Sequence, residues 1–200
     1  VLYHRGPKGE YLVRLDTKDR YWCQYAFQFS HEIGHVLCGY KQGNQQNLWF
    51  EESLCETASL FTLEKLSEAW RRDPPFESWR AYAPQFIDYQ RKRLKDLQPP
   101  GNFHLASWWR ENKNTLSSSP VLRRENLWVA TRLLPLFQKD PKTGWSACAY
   151  LNQTKTASER SFRRYLVDWS TSCSSAKEKN FVKRVAQLRS EEHTSELQSP

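Results

Sequence analysis

The stretch YWCQYAFQFSHEIGHVLCG, residues 21–39, decides how the chain is read. Apolar side chains at Trp22, Tyr25, Phe29, Ile33, Val36 and Leu37 recur at helical spacing, and Gly39 with the polar segment 41–47 ends the run. Inside it, His31-Glu32-Ile33-Gly34-His35 puts two imidazoles four residues apart, on one face of the helix. Both rings can then point at one metal ion, with Glu32 about a quarter-turn round and aimed at a water on that ion. Gly34 offers no side chain beside the imidazoles, leaving room for another segment or a substrate. The rest of the helix is apolar nearly all round. Buried polar groups in such a helix need partners, and a metal would provide them.

Working outward, a second helix is expected from about 50 to 72, stopping before Asp73-Pro74-Pro75. Further helices are expected at roughly 76–96, 103–116, 123–139, 144–152, 158–172 and 175–188, with kinks at Pro84 and Pro135. Before the first helix, Val1-Leu2-Tyr3 and Tyr11-Leu12-Val13 flank Gly6-Pro7-Lys8-Gly9, the pattern of a β-hairpin. The expected fold class is therefore mainly α (α+β), a helical body preceded by a small N-terminal β-hairpin.

The second helix opens with Glu51, Glu52 and Glu56. Glu52 and Glu56 share a face, and two carboxylates among Leu54, Ala58, Phe61 and Leu66 call for a cation or a donor between them. Either can be the third ligand of a metal held by His31 and His35, the other lying behind it. Glu51 points about 100° away and is expected to face solvent.

With 200 residues the chain fits one domain, 1–188, and no apolar run approaches the roughly 18 residues of a membrane span. It begins at Val1 and contains no Met, so an N-terminally truncated fragment is expected. The end of the chain, RSEEHTSELQSP at 189–200, lacks any apolar period and resembles the translation of a sequencing-library adapter. It is read as an artefactual tail. The five cysteines form no CxxC pair and are expected to be small buried thiols on helices. The formal charge of +8 comes from short clusters, Arg71-Arg72, Arg91-Lys92-Arg93, Arg123-Arg124 and Arg163-Arg164. Lying between apolar helical positions, these read as solvated faces, and no specific nucleic acid is expected as a partner.

The HExxH helix followed by Trp49-Phe50-Glu51-Glu52-Ser53-Leu54-Cys55 resembles the gluzincin arrangement of zinc metallopeptidases. There a Glu on the following helix is the third ligand, and the aminopeptidase-like form reads approximately W-x-x-E-G-x-A. Ser53 stands in place of the usual Gly and Cys55 in place of the usual Ala. The resemblance covers roughly residues 21–66 and selects Glu52. The longer interval to Glu56, followed by Thr57-Ala58-Ser59, is similar to thermolysin-like spacing and keeps Glu56 as the alternative. It implies a zincin-like domain with Zn²⁺ on His31, His35 and Glu52. It also implies hydrolysis of a peptide or protein substrate by a zinc-bound water, with Glu32 as general base. A Tyr or His from a later segment often steadies the oxyanion in such enzymes, and His104 and Tyr165 are candidates. The alternative is an inactive zincin-like domain serving as a binding or regulatory module, against which the retention of Glu32 speaks.

Overall fold

The architecture is a set of helices wrapped around one central helix, in a computed structural model that describes residues 4–19, 21–39, 45–95, 97, 105–154 and 161–188. In chain order the helices are α1 (Trp22–Leu37), α2 (Leu48–Arg72), α3 (Ala83–Lys95), α4 (Leu105–Ser118), α5 (Arg123–Lys139), α6 (Pro141–Cys148), α7 (Phe162–Ser172) and α8 (Ala176–Gln187). Short 3₁₀ segments at Gln45–Asn47 and Glu77–Tyr82 lead into α2 and α3. Mainly α is thus the fold class, and none of the helices is long and apolar enough to cross a membrane.

α2 is the axis of the molecule. Every residue from 49 to 60 is buried, so its first half has no solvent face at all. One side, through Trp49, Phe50 and Leu54, joins a core with Trp128, Leu133, Phe137, Trp169 and Phe181. The other, through Leu60 and Leu63, joins Phe27 of α1, Phe86 of α3 and Leu127, Ala130 and Leu134 of α5. α5 is shared by both cores, which locks the helices around α2.

The pairing of α1 with α2 depends on Gly34. A Cβ at this position would lie 3.0 Å from both Cα and Sγ of Cys55, so the segment that approaches the glycine is α2 itself. α1 ends as the sequence indicates. Gly39, at φ +71°, takes the left-handed conformation that a side chain would disfavour, and its N–H bonds the carbonyl of Val36.

Two expectations need correction. No strand is found among the described residues, and the N-terminal hairpin reduces to a single antiparallel bridge between Arg5 and Tyr11. The turn does form, with Gly9 N–H donating to Gly6 C=O at 2.9 Å, but no sheet among the described residues receives it, and an isolated hairpin has little to hold it. Pro84 does not kink a long helix either. It sits in the first turn of α3, where its missing N–H costs nothing, and the preceding segment is 3₁₀. Pro135 lies inside α5. The tail 189–200, Val1–Tyr3 and His104 fall outside the described residues.

Candidate metal centre

The two imidazoles of α1 stand one turn apart, ring centroids 5.1 Å from each other, and both face α2. Glu52 lies between them. Its Oε2 is 3.2 Å from His31 Nε2 and its Oε1 is 3.5 Å from His35 Nε2. The two distances run to different carboxylate oxygens, and each is near the ligand-to-ligand spacing of about 3.3 Å in a tetrahedron with bonds of about 2.0–2.1 Å, so a turn of the carboxylate would bring one oxygen toward both rings. The donor set, two imidazoles and one carboxylate, is also the kind that zinc takes when one position stays open.

The far side of His35 is fixed by a chain of hydrogen bonds. Its Nδ1 lies 2.8 Å from Glu51 Oε1, and since the carboxylate can only accept, the ring donates there. With Nδ1 donating, Nε2 is the ring atom left to bind a metal. Glu51 Oε2 in turn accepts from Asn152 Nδ2 at 2.7 Å, and the same amide donates to the carbonyl of Cys38 at 3.0 Å. Tyr165 of α7 completes the chain by donating its hydroxyl to Asn152 Oδ1 at 2.8 Å. Glu51 is therefore buried, 3 % exposed, and is not the solvent-facing residue that helical geometry alone suggests. The 100° between Glu51 and Glu52 places one on each side of the His35 ring, because α2 is enclosed on all sides here.

Glu56 approaches His31 Nδ1 only to 3.7 Å, too far for a hydrogen bond, and its buried Oε2 has no partner. Burial pushes its carboxyl above the ordinary range, opposed by His31, Arg93 and Arg123 nearby. Glu52 ends below the ordinary range. Burial pushes it up, but the hydrogen bond from His31 and the field of both imidazoles outweigh that. Of the two carboxylates that share a face, Glu52 is the one held against both histidines.

A sulfur atom also lies here. His31, His35 and Cys55 each offer a ligand atom, all within 4.8 Å of one another. Cys55 is fully buried against Gly34, and burial together with the neighbouring carboxylates Glu51, Glu52 and Glu56 pushes its thiol well above the usual range. A thiol so held resists becoming the thiolate a metal requires. All five cysteines are buried and free, with Cys38 hydrogen-bonded to Cys148.

The imidazoles open onto a cleft of about 540 Å³. Glu32 lines it beside His31 and His35, with Glu52 and Glu56 at the base. The segment carrying Arg14 and Asp16 forms a rim, tied to α1 by Gln28, which bonds both the N–H and the C=O of Asp16. Tyr165 does not line the cleft, because its hydroxyl is spent on Asn152. Asn152 lies far along the chain from the motif and carries no local signal, while Arg93 and Arg123 read in sequence as parts of solvated basic faces. No protein-family model, curated protein or solved structure matches the chain.

Proposed function

We propose that this chain is a zinc-dependent hydrolase that cleaves peptide bonds, gluzincin-like in its ligand set, with His31, His35 and Glu52 holding the metal and Glu32 as general base. One observation carries the reading: the Glu52 carboxylate lies within 3.5 Å of Nε2 of both imidazoles, on the wall of the cleft that Glu32 also lines.

When bound, Zn²⁺ supplies Lewis acidity, acidifying water and polarising the carbonyl of a peptide bond. The protein supplies the rest. Glu32 takes the proton of the attacking water and passes it to the departing amine, so one carboxylate serves as base and then as acid. Glu51 and Asn152 fix the tautomer and tilt of His35, which makes the ligand more basic and costs no reorganisation on binding. Glu52, already held below its ordinary pKa, is ionised at neutral pH and ready to bind a cation.

The test is an unbiased peptide library incubated with the zinc-loaded chain and read by mass spectrometry. Cleavage by the wild type, lost in Glu32→Gln while zinc is retained, supports the reading. A chain that binds zinc yet leaves the library intact would instead be the inactive binding module.

A further inference from the structure

Opposite the imidazoles the cleft has a basic wall that the hydrolase reading does not use. Arg14, Arg93 and Arg123 all line the cleft, and no carboxylate among the described residues pairs with any of them. Other arginines of the chain do find partners: Arg80 with Glu77, Arg91 with Asp88, and Arg164 with Asp168.

The parts of that wall are held in place. The Arg93 guanidinium lies 4.8 Å over the Phe27 ring, a contact that fixes its plane, and its buried Nε has no acceptor. Arg123 is the first residue of α5, a 17-residue helix with no side-chain cap at Leu122 and with Glu125 in its first turn. One turn on, Asn126 is 2 % exposed and lines the cleft. Its Nδ2 is spent on the carbonyl of Pro120, but its Oδ1 accepts nothing. Both of these atoms are enclosed, so it is the rest of the guanidinium groups that a ligand in the cleft would meet.

The remaining cleft residues narrow the ligand. Asp16, Glu32 and Glu52 face the same space and would repel a polyanion such as a nucleic-acid backbone. A single carboxylate meets less of that repulsion. We propose that Arg93 and Arg123 receive a carboxylate of the peptide substrate. This rests on the hydrolase reading for the word substrate, but the binding site itself does not. His31, Glu56, Arg93 and Arg123 all line the one cleft. The carboxylate would therefore sit close to the bond to be cleaved, as an acidic side chain or as the chain terminus.

Three acetylated tetra-alanine probes separate these sources: one with a free C-terminal carboxylate, one amidated, and one amidated with an aspartate in place of an alanine. Calorimetric titration of each into the full chain, with and without zinc, reads binding independently of turnover. At least one carboxylate probe is expected to bind about 10–100-fold more tightly than the neutral amide, the worth of one charge-assisted hydrogen-bond pair. Arg93→Gln and Arg123→Gln should each remove most of that preference, and Arg93→Lys should restore part of it. Whichever carboxylate probe is preferred identifies the source. Equal binding of all three probes, a preference that survives the double Gln variant, or tighter binding of inorganic phosphate would overturn the proposal. Zinc content measured on the same samples keeps the two ideas apart. A chain without zinc that still prefers the carboxylate loses the hydrolase reading and keeps the site.

Discussion

Two helices of this protein, α2 and α8, treat their buried carboxylates in opposite ways. In α8, Glu178 sits in the first turn and accepts from Ser146 of α6, from Ser174, and from the backbone N–H of Ser175, whose hydroxyl in turn caps the helix. Every donor is a hydroxyl or an N–H at hand, and the Ser146 bond first among them draws the carboxyl down to about 2. In α2, Glu51, Glu52 and Glu56 lie in mid-core with no hydroxyl to satisfy them, and their partners are imidazoles from α1 and one distant amide. One oxygen of Glu56 has nothing. The first arrangement is how a fold uses a carboxylate to tie two helices together. The second places charge where folding alone gains little, which is how a site is kept ready for a cation.

Substitutions that separate stability from metal binding sharpen this contrast. The largest effect is expected at Glu52. Changing it to Ala should weaken zinc binding by several orders of magnitude, whereas Glu56→Ala should cost only about 10–100-fold, as losses behind the ligands do. Competition against a chromophoric chelator measures both, and a reversed ranking would make Glu56 the ligand. Next comes Glu32→Gln, expected to lower kcat/KM by about 10²–10⁴-fold with zinc stoichiometry unchanged. Loss of zinc in that variant would reassign Glu32 as a ligand.

Smaller effects follow along the chain behind His35. Glu51→Gln and Asn152→Ala should each reduce zinc affinity by about 10–100-fold through a freed imidazole. Wild-type affinity in both would show that the hydrogen-bond chain serves packing alone. The smallest effects concern the metal-free protein and carry opposite signs. Glu178→Ala should destabilise it by about 1–2 kcal/mol near neutral pH, through lost hydrogen bonds to a charged acceptor. Glu56→Gln should stabilise it, by relieving a buried and half-satisfied charge. Because the folded pKa of Glu178 is depressed, its contribution is fully present above the ordinary carboxylate range. It is lost as pH falls from about 5 toward about 2. Urea denaturation of wild type and Glu178→Ala across that window should show the difference shrinking as acid is added.

Much of this was legible before any coordinate. The helical period of residues 21–39 and the Pro and Gly punctuation placed the helices close to their observed bounds, because those signals are local. His31 and His35 on one turn are likewise a local signal, whereas the choice of Glu52 over Glu56 came from the resemblance; the structure sets Glu52 against both rings. What failed was whatever depended on enclosure. Glu51 was misjudged because helical angles say where a side chain points but not what stands there, and α2 has no solvent side at this level. Asn152 and Arg123 reach the site from far along the chain, through packing that no local pattern records. The hairpin was overread because a good turn does not supply the sheet that would hold its arms.

The most direct test is the zinc content of the full chain after loading and exhaustive desalting, by elemental analysis of wild type, Glu52→Ala and Cys55→Ala side by side. The account predicts one zinc per chain in the wild type and in Cys55→Ala, and a large loss in Glu52→Ala. No zinc in the wild type, or full zinc in Glu52→Ala with loss in Cys55→Ala, would contradict it.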